Sequence, residues 1–127
     1  MCYAMSIAKL QTTLREFAAE REWEQFHTPK NLVMALAGEV GELTELFQWL
    51  SPEASFRVAS DGPHSTDVRD ELADVFGYLL RLADVLDVDL EAALDQKITK
   101  NAEKYPVETS RGSSAKYSYR TEKRDTR

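Results

Sequence analysis

The sequence predicts an all-α fold, a compact bundle of four helices with a surface suited to self-association. Three observations carry that prediction. Apolar residues recur at helical spacing in four separate segments. The 127 residues include only Gly 5 and Pro 4, too few for the tight turns of a sandwich or barrel. A hydrophobic fraction of 43% against 30% charged residues supplies a core and argues against wholesale disorder.

The first helix is predicted over residues 7–23, with Ser6 as N-cap and Ile7, Leu10, Leu14, Phe17 and Ala18 as its apolar stripe. Gln11, Arg15, Glu16 and Glu22 lie off that stripe. Pro29 disfavours helix at Thr28 and suits a new first turn, so residues 24–29 form a connection. A second helix follows over 30–50 and stops before Ser51-Pro52. Residues 51–66 hold Pro52, Gly62 and Pro63 and read as a flexible crossover. The third helix spans 67–86, with Val68, Leu72, Val75, Leu79, Leu82 and Leu86 as its buried stripe. After Asp87-Val88-Asp89 a fourth helix covers 90–104 and ends before Pro106. One domain thus occupies 1–106, and 107–127 reads as a disordered basic tail.

Composition narrows the function. One cysteine, Cys2, permits no internal disulfide, and no C-x-x-C pair offers zinc ligands. No stretch of apolar residues is long enough for a membrane span and no signal-like start is present, so the expectation is a cytoplasmic protein without a membrane partner. The net charge is −6, but residues 105–127 carry +3 and the body −9. Such a body repels nucleic acid and is compatible with bound cations.

Residues 32–50 hold 12 apolar residues of 19, and their only charges are Glu39, Glu42 and Glu45. No Lys or Arg occurs between Lys30 and Arg57. A solvated helix face mixes signs at three- and four-residue spacing, and this one does not. Glu39 and Glu42 project from one face, Glu71 and Asp74 repeat the spacing on the third helix, and Tyr78 continues that face. Convergence of the two pairs would suit Mg²⁺, or Mn²⁺, with phosphate oxygens as further ligands. The bland alternative pairs Glu39 and Glu42 with Arg69 and Arg81. Gly38 and Gly41 sit in mid-helix, where each costs about 1 kcal/mol relative to Ala. Close approach of a helix or a phosphate would explain them. Glu42 or Glu45 could serve as general base. Lys97, Asn101 and Lys104 share one face of the fourth helix and could meet phosphate oxygens or simply be solvated. Trp23 and Trp49 fall at predicted helix ends, where core and pocket-mouth roles are both open.

The run Gly38-Glu39-Val40-Gly41-Glu42-Leu43, followed by Asp70-Glu71-Leu72-Ala73-Asp74-Val75, resembles the E-x-x-E…E-x-x-D motif of the MazG-like all-α nucleoside triphosphate pyrophosphohydrolases. Glu20 to His27, with Trp23, and Glu45-Leu46-Phe47-Gln48-Trp49 resemble the dCTP pyrophosphatase branch in particular. The likeness continues through Lys97, Asn101 and Tyr105-Pro106. The resemblance implies hydrolysis of a nucleoside triphosphate to the monophosphate and pyrophosphate, with Mg²⁺ on Glu39, Glu42, Glu71 and Asp74. It places Trp23, His27 and Trp49 around base and sugar, and Tyr78, Lys97, Asn101 and Tyr105 near phosphates or sugar. It also implies homodimers or homotetramers. Some dCTP-preferring relatives carry His where this chain has Leu14, which leaves base preference open. The resulting expectation is a house-cleaning hydrolase of dCTP or a modified dCTP. The same chemistry on dUTP, dATP or phosphoribosyl-ATP, or a silent helical interaction module, are the alternatives.

Overall fold

The computed structural model describes residues 4–116; Cys2 and the basic residues of 117–127 lie outside the described residues. The elements are α1 (Ile7–Glu20), a 3₁₀ turn (Glu24–Phe26), α2 (Pro29–Phe47), α3 (Pro52–Ser55), α4 (Ser65–Val85), α5 (Leu90–Lys104) and α6 (Val107–Ser110). No strand occurs among the described residues. The four long helices are the four that the sequence predicts. They divide between two compact units, Met1–Val88 and Asp89–Arg127.

Side-chain caps mark where α1, α2 and α5 begin, whereas α4 starts after His64 without one. The Ser6 hydroxyl accepts from the Lys9 amide at 3.1 Å and the Thr28 hydroxyl from Asn31 at 3.2 Å, with Pro29 in the first turn of α2. Asp89 caps α5 through the Ala92 amide at 3.0 Å. The ends are less regular. Helix α1 stops at Glu20, short of the predicted 23, because Glu22 takes a left-handed conformation with φ 54°. The Trp23 amide then donates to the Ala18 carbonyl at 2.9 Å and the Glu22 amide to Ala19 at 3.1 Å, a Schellman closure that folds Trp23 back along the helix. Asp87, with φ 55°, closes α4 in the same way through Val88 and the Ala83 carbonyl. Helix α2 ends at Phe47, which leaves Trp49 outside it. The predicted crossover contains the single turn α3, capped by Ser51, and a helical turn at α6 lies within the predicted tail.

In the first unit α4 packs on both α2 and α1. The apolar residues fully buried among the described residues are Ala18, Leu32, Val68, Leu80 and Ala83. This corrects the predicted stripe of α4. Val68 belongs to the core, but Leu72 and Leu86 are each 51% exposed and Leu79 37%. Leu80, one residue off that stripe, is buried in place of Leu79. The physical reason is geometric: α1 and α2 cover one side of α4, and the row Leu72, Phe76, Leu79 and Leu86 lies on another. Polar contacts also join α1 to α4, since the Gln11 amide donates to the Leu80 carbonyl at 3.1 Å and Arg15 binds Asp84 with both Nε and an outer nitrogen. The order 11 to 80 and 15 to 84 shows that these two helices run in the same direction. A β-carbon placed on Gly38 or Gly41 would meet nothing within 4 Å among the described residues, so packing among them does not account for either glycine.

Candidate active site

Helices α2 and α4 bring Glu39, Glu42 and Glu71 together, with one oxygen from each within 4.8 Å of the others. Glu39 and Glu71 are half-buried and Glu42 is exposed. One oxygen of Glu39 and one of Glu71 are buried without a hydrogen-bond partner among the described residues. Unpaired buried carboxylate oxygens are costly, and a cation relieves that cost. Burial, and then the nearby charge of Glu42, push the Glu39 carboxyl up to about 7. Burial likewise raises Glu71, with the charges of Glu42 and Asp74 acting in the same direction. Arg69 does not answer these charges but donates to the Ala59 carbonyl at 3.5 Å, and Arg81 is turned to His27 and Asp84. The bland pairing is therefore absent.

Asp74 stands one turn beyond Glu71 and acts on both buried glutamates through its charge, but it is outside the tight trio. It lines a neighbouring cavity of about 250 Å³ together with Tyr78, Trp23, His27, Leu14 and Arg81. Trp23 meets Phe17 edge-on at 5.8 Å between ring centroids and His27 at 6.4 Å. The Schellman closure after α1 is what hangs Trp23 there. Leu14 gives the cavity an apolar wall where a histidine would give it a polar one.

Other sequence-predicted residues are placed elsewhere. Glu45 is exposed on α2, one turn past Glu42. Trp49 is 88% exposed and does not line the cavity. Lys97 and Asn101 are exposed on α5, and Tyr105 follows that helix, all three in the second unit. Arg81 was absent from the predicted site. It is 8% exposed, with Nε donating to His27 Nδ1 at 3.1 Å and an outer nitrogen to Asp84 at 3.1 Å. A sequence signal did exist, because Arg81 is the only charged residue between Asp74 and Asp84.

The MazG-like family model matches residues 35–119. The chain belongs to the MazG-like family. This MazG-like chain is 51% identical over 102 residues to dCTP pyrophosphatase 1 of Rattus norvegicus and 47% identical to that of Homo sapiens. Each match covers 80% of this chain and 60% of the relative, so the chain spans about three-fifths of the length of these proteins. Among solved structures, a pyrophosphatase from Archaeoglobus fulgidus superposes with a TM-score of 0.74 at 39% identity, over 84% of this chain and 97% of that one. The fold of this MazG-like protein is thus shared with a solved pyrophosphatase.

Proposed function

We propose that this MazG-like chain is a divalent-metal-dependent nucleoside triphosphate pyrophosphohydrolase that converts dCTP or a base-modified dCTP to the monophosphate and pyrophosphate. The observation that carries the reading is the acidic trio with two unpartnered buried oxygens, beside a cavity walled by Trp23, His27 and Tyr78. The names of the relatives support the substrate.

The donor set fits Mg²⁺ or Mn²⁺, all oxygen and strongly acidic. Glu39, Glu42 and Glu71 would hold the ion, with Asp74 completing the set from the cavity side. When bound, the ion would supply positive charge against the phosphates and lower the pKa of a water. The chain's own residues do the rest. Trp23 offers an aromatic face to the base, and Tyr78 a hydroxyl toward sugar or phosphate. A carboxylate, Glu42 or Glu45, takes the proton of the attacking water as a new P–O bond forms. The anhydride bond between the α- and β-phosphoryl groups breaks, and pyrophosphate leaves. Lys97, Asn101 and Tyr105 are assigned to phosphates and sugar through the resemblance. The exposed row on α4 and the exposed Trp49 support a homodimer or homotetramer. Among the described residues no helix is long and apolar enough to cross a membrane. A cytoplasmic house-cleaning role agrees with that.

The test is to incubate the protein with each dNTP and Mg²⁺ and assay pyrophosphate. Release from dCTP above the other nucleotides, abolished in Glu42→Ala and Asp74→Ala with helicity retained, is the expected result. Absence of turnover of any nucleotide by metal-loaded protein would overturn the reading and favour a silent interaction module. Loss of turnover in Glu45→Gln with metal affinity retained would assign the base to Glu45, and retained turnover would assign it to Glu42.

A further inference from the structure

The cavity contains a buried charge that the proposed chemistry does not use. Arg81 reaches it from α4, more than nine-tenths buried, and its Nε–H can only donate. The acceptor at 3.1 Å is His27 Nδ1, so that nitrogen must present a lone pair. A neutral imidazole carries one proton, which then sits on Nε2. Among the described residues Nε2 has no hydrogen-bond partner, and His27 lines the cavity.

We propose that Arg81 is a positioning residue that holds His27 in the Nε2–H tautomer, so that the cavity offers one fixed donor to the acceptor edge of a pyrimidine base. This rests on the nucleotide reading given above. The arrangement is held from behind. Asp84 takes Arg81 at 3.1 Å and Arg15 at 3.0 Å, so the buried guanidinium has its counter-charge on the side away from His27. The other charged or titratable groups at the cavity are Asp74 and Tyr78, and neither is hydrogen-bonded to the ring. Burial, and then the Arg81 charge, hold His27 below its ordinary pKa, which keeps the ring neutral. Such a donor has a chemical preference. Cytosine presents adjacent acceptors at N3 and O2, whereas uracil and thymine carry a proton on N3 that would face the donor. A donor set against N3 therefore separates cytosine from the other pyrimidines, provided that its proton cannot move to Nδ1.

Two measurements on the full chain test this. Long-range ¹H–¹⁵N spectra of the imidazoles should show His27 protonated on Nε2 and bare on Nδ1. His64, whose Nδ1 faces the Asp67 carboxylate at 3.1 Å, carries a proton on Nδ1 and serves as the internal contrast. Arg81→Met should let His27 exchange between tautomers. A His27 proton on Nδ1 in the unaltered protein overturns the proposal. In kinetics, Arg81→Met should raise KM for dCTP about tenfold, change kcat less than about threefold, and reduce discrimination against dUTP. His27→Gln supplies an oxygen for Arg81 and an N–H for the base, so it should retain KM within about threefold, while His27→Leu should not. Equal impairment by Gln and Leu also overturns it. If no nucleotide is turned over, the functional reading fails while the spectra still decide the tautomer.

Discussion

Lowering the pH from about 8 to about 6 should weaken divalent-metal binding about tenfold. A carboxylate must be ionised to ligate, and Glu39 sits at about 7 in the metal-free protein. It is then about nine-tenths protonated at the lower pH and about one-tenth at the higher, and the apparent affinity follows the ionised fraction. At neutrality each ion bound should displace about half a proton from Glu39, with Glu71 adding to that in the same direction. A carboxylate at 4.5 would be ionised throughout and give no change. Titration calorimetry with MgCl₂ or MnCl₂, in two buffers of different ionisation enthalpy, measures both quantities. The sign for stability follows from the same group. The unfolded chain releases this proton first, so the metal-free fold loses stability as pH rises from the ordinary carboxylate range through about 7, and the ion restores it. Equal Kd at the two pH values with no proton release would refute the reasoning.

Three further outcomes are expected. Leu80→Ala, at a position 1% exposed, should destabilise the fold by about 2–5 kcal/mol in urea unfolding. Gly41→Ala should stabilise the fold by about 1 kcal/mol, because the helix gains propensity and a β-carbon there meets nothing. If nucleotide turnover falls in the same variant, the open space belongs to the substrate or a second subunit; a loss of stability would show unforeseen packing. Light scattering at micromolar concentration should return a multiple of 14.4 kDa, and Phe76→Glu with Leu86→Glu should shift it toward the single chain. A mass near one chain before any substitution would count against assembly.

Much of this arrangement was legible from residue order. Ser6, Pro29 and Asp89 mark helix starts by chemistry that acts within three residues, and all three are used. The acidic pair on α2 was legible for a different reason, since no Lys or Arg between Lys30 and Arg57 could balance Glu39 and Glu42 within their own helix, and Glu71 repeats their spacing with Asp74. What escaped depends on longer range or on unusual backbone. Glu22 and Asp87 adopt the left-handed turn that glycine ordinarily signals, so the end of α1 was placed too late. The face of α4 that is buried depends on which helices cover it, and periodicity alone gave Leu72, Leu79 and Leu86 that role wrongly. Arg81 looked like a partner for the glutamates because sequence distance cannot show that His27 and Asp84 stand nearer.

The main-chain reversal at Glu22 has a practical consequence. Trp23 owes its position to that one left-handed residue, whose own side chain is exposed and lines no part of the cavity. A β-branched residue there would resist the reversal and swing the indole away. Nucleotide affinity could thus be tuned from a solvent-facing site, leaving every group that meets the ligand chemically untouched.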